Sequence, residues 1–379
     1  MLKALKEFQV GRPQMLAGLM LLAFLAQALW VATSRRFSPL EYQYIEAGLP
    51  HQPGQDFRVS SPLTSWIAGL PFRLARMSGN ATVTQALIIP RPWLVRLPFV
   101  AFGLWLGGAI WWVARRLFDD HGGYVALALF CTSSAMVMIA SNIGPEVILA
   151  WSSFGLIYTA IGVAHTLYAP PKKWLPRIVL LGLSIGFSLA AAYWSIFMVA
   201  LAVGFMLYLA PGRRKAVLLV VSCALAIGLG VYTFFTVTIG APWFPVKSLL
   251  DPHFGLEQLR SLAFPFAEGY TPINSYLFVA FVIAALTAFG SWERARYFGN
   301  TAPLLTAYVA VLLFSLPTSL HFWYATLGFS FVFIFIGGVA ADLLETSAGR
   351  AVAATLVAGI ALRGVLNLAA LARWSRISG

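Results

Sequence analysis

The sequence predicts an all-α polytopic membrane protein, and three observations predict it. Apolar side chains make up 60% of the 379 residues and charged ones only 10%, well under half of the roughly 25% charged share of soluble domains. Mean hydropathy is +0.80 over the full length. Apolar runs also recur near the ~20 residues a helix needs to cross the hydrocarbon core. Eleven such runs take about 220 residues, which leaves loops and ends but no soluble domain of any size. The chain 1–379 therefore reads as a single transmembrane domain with no separate C-terminal soluble domain. Disorder, collagen, coiled coil and disulfide scaffold are excluded by the same composition.

In chain order the runs lie near 15–33, 97–114, 122–141, 147–168, 177–191, 193–210, 216–236, 273–290, 301–316, 322–341 and 351–370. The fifth and sixth are so close that they could form one long kinked helix. The first follows Lys3, Lys6 and Arg12. It is too long for a signal-peptide core of roughly 7–15 residues and reads as an uncleaved anchor. One set of short connections carries Lys3/Lys6/Arg12, Arg115/Arg116, Lys172/Lys173/Arg177, Arg213/Arg214/Lys215, Arg294/Arg296 and Arg350, whereas 142–146, 191–193 and 317–321 have no Lys or Arg. By the positive-inside rule the N-terminus is cytoplasmic and the cation-free connections are external. Loop 34–96 is external despite its seven arginines, since long loops translocate largely regardless of charge. Eleven spans put the C-terminus outside, against Arg363, Arg373 and Arg376. The expected location is a multi-pass inner (cell) membrane protein with an external or periplasmic working face.

The formal charge of +13 follows from these retained loop cations beside anionic lipid; nucleic acid is not an expected partner. Cys131 and Cys223 both sit inside apolar runs and suggest neither disulfide nor metal. Polar chemistry gathers in two external loops, 34–96 and 237–272. The first holds Glu41, Glu46, His51, Asp56 and Arg58, and an amphipathic stretch Ser61–Met77 in which Trp66, Ile67 and Leu70 oppose Arg73 and Arg76. That stretch reads as a helix on the membrane surface. The second holds Lys247, Asp251, His253, Glu257, Arg260 and Glu268.

The order of features carries a resemblance. An anchor leads into a long external loop with an acid near its start and a Pro62-Leu63-x-x-Trp66 helix. Arg96-Leu97-Pro98 opens the second span, Arg115-Arg116-Leu117-Phe118 closes it, and the Gly144-Pro145-Glu146 turn opens the fourth. Over about residues 30–200 this is similar to the polyprenyl-phosphate-sugar-dependent glycosyltransferases of GT-C fold, in the protein O-mannosyltransferase and aminoarabinose transferase branch. His321-Phe322-Trp323-Tyr324 adds a weaker echo. The resemblance implies an enzyme that moves a sugar from an isoprenoid phosphate to a hydroxyl on the external face. The family's Asp-Glu-x-x-Tyr-x-x-Ala is here Leu40-Glu41-Tyr42-Gln43-Tyr44-Ile45-Glu46-Ala47, so Leu40 stands where the family has Asp. Its cation before Pro-Pro-Leu is absent from Val59-Ser60-Ser61-Pro62-Leu63, and its Arg-Pro-Asp is here Gly144-Pro145-Glu146.

Such a transfer needs a base for the acceptor hydroxyl, cations or dipoles for the departing phosphate, and an apolar groove for the tail. Glu41 is the first candidate base and Glu146 the second. Structural readings stand beside both. Glu41 could cap a juxtamembrane helix or pair with Arg35 or Arg36, and Glu146 suits the N-terminal dipole of its span. For the donor phosphate the candidates are Arg58, Arg91, Arg96, Lys247, Arg260 and His321, with Arg96 also readable as a snorkelling anchor. No metal or other cofactor is expected, since no acidic, His or Cys residues fall at a ligand spacing. The expected partners are a polyprenyl-phosphate sugar, membrane lipid and other membrane subunits. Leu40, the missing cations and the short C-terminus leave a second class open: a non-catalytic GT-C-like structural or assembly subunit of a membrane complex.

Overall fold

The computed structural model describes residues 12–49, 61–77, 91–170, 174–241, 272–293, 297–315 and 326–377. Among them there is no β-strand. The helices are α1 (Arg12–Ser34), α2 (Pro39–Gly48), α3 (Pro62–Ala68), α4 (Leu70–Met77), α5 (Pro92–Cys131), α6 (Ser134–Ser141) and α7 (Pro145–Thr166). After these come α8 (Leu175–Ala191), α9 (Ile196–Leu209), α10 (Arg214–Ile239), α11 (Pro272–Ser291), α12 (Phe298–Ser315), α13 (Thr326–Leu344) and α14 (Gly349–Ile377). Helices α1, α5, α7, α10, α13 and α14 are long and apolar enough to cross a membrane, and α8, α9 and α11 are shorter apolar helices. The chain is a multi-pass membrane protein.

Packing separates central from peripheral helices. Two thirds of the spans of α7 and α13 are buried by protein, against 11% for α14. Helix α5 lies against α13, α1, α6 and α7, while α8 and α9 flank α7, and α10 backs α8. Phe130, Phe154, Phe331, Phe333 and Phe335 fill the interior between them, each essentially inaccessible. A bundle interior filled this way takes its specificity from shape, because lipid tails are as apolar as the core.

Helix ends sort into two faces. At one, Arg35 lies 3.6 Å over the ring of Trp374, so the far ends of α1 and α14 share a side. The edge contact between Trp66 and Phe235 brings α3 and the end of α10 to that side as well. At the other, Phe118 meets Tyr297, Asn300 donates to Asp342 at 3.2 Å, and Arg115 pairs with Asp120 at 2.5 Å.

Two expectations are met at the connections between runs, and two are corrected. The turn expected at 115–121 is present: the backbone leaves helical geometry at Phe118 and Asp119, and Gly107 packs against the Phe130 ring, so the two halves of α5 fold back on each other. Asp119 has φ 62° and ψ −170°, a region essentially reserved for glycine. Asp119→Gly is therefore expected to stabilise the fold by about 1 kcal/mol or more, read as a rise in melting temperature. The run 122–141 is not one helix, since it breaks at Thr132 and Ser133 between α5 and α6. The fifth and sixth runs are two separate helices, as placed, and not the alternative of one kinked helix; extended backbone at Ala192 and a 3-10 turn at Tyr193–Ser195 part them.

The stretch 61–77 is the second correction. Its first half, α3, is buried against α2, α10 and α8 rather than lying on the membrane surface. Arg73 does not oppose Trp66; it lies 5.4 Å from the ring and donates to the Gly48 carbonyl at 3.1 Å. Partial burial pulls the Arg73 guanidinium below its ordinary pKa. Gly48 and Gly69 allow α2 and α3 to meet at backbone distance, since a Cβ on either would overlap the other segment's main chain.

Candidate functional site

Ser38 starts α2 with a reciprocal cap. Its Oγ accepts from the Glu41 N–H at 3.2 Å, and its own N–H donates to Glu41 Oε2 at 2.8 Å. Pro39 supplies the first helical position, where a missing N–H costs nothing. The cap points the Glu41 carboxylate inward, where it meets Arg96 from the first turns of α5. Arg96 Nε donates to Oε1 at 2.9 Å and Nη2 to Oε2 at 2.8 Å. The Ile143 N–H, in the turn before α7, donates to Oε1 at 3.0 Å.

Both groups are saturated. A guanidinium has five N–H donors and a carboxylate about four acceptor positions. The other three Arg96 donors reach the carbonyls of Ala32 and Arg35 from Nη1, at 2.9 and 2.8 Å, and of Arg36 from Nη2, at 2.9 Å. Glu41 is 2% exposed and Arg96 fully buried. Arg96 thus does not snorkel, and it keeps no donor for a phosphate. Glu41 pairs with Arg96, not with Arg35 or Arg36, whose contribution is backbone carbonyls. This clamp ties together the end of α1, α2, the start of α5 and the turn before α7.

Glu146 occupies the same corner. Pro145 opens α7 and Glu146 stands in its first turn. Its carboxylate folds back over Gly144, where a Cβ would overlap Oε2, in the same turn whose Ile143 N–H binds Glu41. Glu146 is 8% exposed. Arg35 secures the turn from the other side by donating to Asn142 Oδ1 at 2.9 Å. The structure brings Glu41, Arg96 and Glu146 together and leaves Arg91 exposed at the head of α5. Arg58, Lys247, Arg260 and His321 lie outside the described residues. Among the described residues no three His, Cys, Asp or Glu side chains converge as a metal-binding group.

The sequence reading missed the partnership of Glu41 and Arg96, which are 55 positions apart. The Ser38-x-x-Glu41 spacing was a readable capping signal, but nothing local pointed to the second partner. Arg363, inside the run 351–370, was weighed only as a charge against an external C-terminus, whereas its side chain is buried in the bundle.

No family model and no curated protein matches the chain. Solved structures do. ArnT from Cupriavidus metallidurans in the apo state superposes with a TM-score of 0.60 at 14% identity, over 94% of this chain and 74% of that one. The same protein bound to undecaprenyl phosphate gives 0.55 at 13% identity, with the same coverage. The oligosaccharyltransferase of Archaeoglobus fulgidus, in complex with Zn and sulfate, gives 0.53 at 10% identity, over 92% of this chain and 53% of that one. At such identity the likeness concerns architecture, and on that ground the chain has the GT-C fold.

Proposed function

We propose that this protein is a membrane glycosyltransferase that moves a sugar from a polyprenyl-phosphate donor to a hydroxyl acceptor on the external face. The observation that carries the reading is that a second buried carboxylate, Glu146, stands in the turn bound by the saturated Glu41–Arg96 clamp, with no cation paired to it among the described residues. The GT-C fold, and a structural neighbour bound to undecaprenyl phosphate, support a lipid-linked donor.

In this proposal Glu146 takes the proton of the acceptor hydroxyl. The acceptor oxygen forms a bond to the anomeric carbon as the bond from that carbon to the phosphate oxygen breaks. The polyprenyl phosphate leaves with the electron pair. Glu41 becomes a positioning residue, since all four of its acceptor positions are taken and none is open to the acceptor's proton. Arg58, Lys247, Arg260 and His321 remain the proposed holders of the departing phosphate. No step is assigned to a metal.

A second reading is favoured by one observation: Glu41 and Arg96 are closed over and satisfy each other. A GT-C scaffold kept only as an assembly subunit of a membrane complex needs nothing more. Reconstitution of the purified chain in proteoliposomes with a polyprenyl-phosphate sugar separates the two. The enzyme reading expects sugar transfer with matching release of polyprenyl phosphate. No turnover with any such donor, together with stoichiometric co-purification of other membrane subunits, would establish the second reading instead.

A further inference from the structure

Away from this corner, α14 carries a second polar group into the bundle. Gln27 on α1 donates to the Cys131 carbonyl at 3.3 Å and accepts from Asn367 at 2.5 Å. Arg363, one turn before Asn367, donates through Nε to the Thr132 carbonyl at 3.4 Å. These contacts meet carbonyls set free where α5 breaks, and a cation there suits the negative end of a helix. They leave Arg363 incomplete. The residue is 4% exposed, its Nη1 has no hydrogen-bond partner, and no carboxylate pairs with it among the described residues. The rest of its surroundings are the rings of Phe278 and Phe333, at 4.7 and 5.9 Å.

Two residues beyond Thr132, α6 begins. Its N-cap, Ser133, makes no side-chain hydrogen bond to the first turn, so the opening N–H groups have no intrahelical acceptor. A helix N-terminus and a buried, unpaired guanidinium are both electropositive, and within a membrane an ionisable group that is not paired is costly. The missing element is an anion. Helix α14 also leaves Leu362 and Val365, beside Arg363, 52% and 65% exposed, an apolar surface at the same level on which a hydrocarbon chain can lie.

We infer that Arg363 and the α5–α6 break form an intramembrane site for an oxyanion carried on a hydrocarbon chain, an acidic lipid headgroup of carboxylate or phosphate type. Arg363 supplies the forked donors, the start of α6 supplies backbone N–H groups, and the outer face of α14 receives the chain. The site does not rest on sugar transfer, and a Glu146→Gln protein keeps it.

The test is thermal unfolding of the purified full chain in a neutral detergent, titrated with oleate, dioleoyl phosphatidic acid, dioleoyl phosphatidylcholine and inorganic phosphate. A saturable rise in melting temperature is expected with the first two and none with phosphatidylcholine. The midpoint should weaken at least tenfold in Arg363→Gln and less in Arg363→Lys, which keeps the charge but loses the fork. A comparable rise with inorganic phosphate supports the site with a free ion as its source. Absence of any saturable rise in the unaltered protein overturns the inference, whether or not the variants fold. Equal midpoints in the unaltered protein and either variant overturn it too.

Discussion

Arg96→Met is expected to destabilise the protein by about 3–5 kcal/mol, the usual consequence of removing one partner of a buried ion pair. The loss has two parts. The buried Glu41 carboxylate loses its only counter-ion among the described residues and two of its four hydrogen bonds. The carbonyls of Ala32, Arg35 and Arg36 lose the donors they share. Arg96→Lys is expected to recover little, because an ammonium cannot span two carboxylate oxygens and three carbonyls in fixed directions. Glu41→Leu combined with Arg96→Met should regain part of the loss, as paired apolar replacements often do. Recovery stays incomplete, since the Ser38 and Ile143 N–H groups and three carbonyls are left unpaired. Melting in detergent, with the folded fraction recovered after heating as a second readout, checks the series.

Glu146→Gln is expected to lower sugar transfer by about 10²–10⁴-fold, the range for loss of a positioned general base, with little change in melting temperature. Glutamine keeps the shape that lies over Gly144 and removes only the charge and basicity. No ion pair among the described residues depends on Glu146, so its replacement leaves no stranded cation. Donor binding should also persist, because Glu146 touches the acceptor side of the reaction in this scheme. A kcat that falls while the KM for donor holds would fit that division of labour.

Much of the bundle was legible because hydrocarbon thickness sets a length that a sequence can be searched for. Over their described residues the apolar runs fall on helix, apart from run ends, the break at Thr132 and Ser133 and the 3-10 turn at Tyr193–Ser195, and the Gly144-Pro145-Glu146 turn marked the start of α7. The break between α5 and α6 was not legible. Thr132 and Ser133 are as compatible with a continuous span as with an interruption, and only the tertiary partners Gln27 and Arg363, which receive the freed carbonyls, show why the chain stops there. Ser61–Met77 misled for a related reason. Amphipathic periodicity says that a face is apolar, not whether lipid or protein covers it, and α3 is covered by α10 and α8. At the site, sequence order singled out both acids and Arg96. It could not assign their work, because a role depends on which hydrogen-bonding positions are already taken, and those of Glu41 and Arg96 all are.

The division between a carboxylate that holds and a carboxylate that reacts is tested most directly by one paired measurement. Glu41→Gln and Glu146→Gln are each assayed for melting temperature and for transfer from a polyprenyl-phosphate sugar, normalised to folded protein. The expected pattern is crossed: Glu41→Gln melts well below the unaltered protein yet its folded fraction turns over, while Glu146→Gln melts normally and is nearly inactive. A folded Glu41→Gln protein without turnover beside an active Glu146→Gln protein would contradict the assignment.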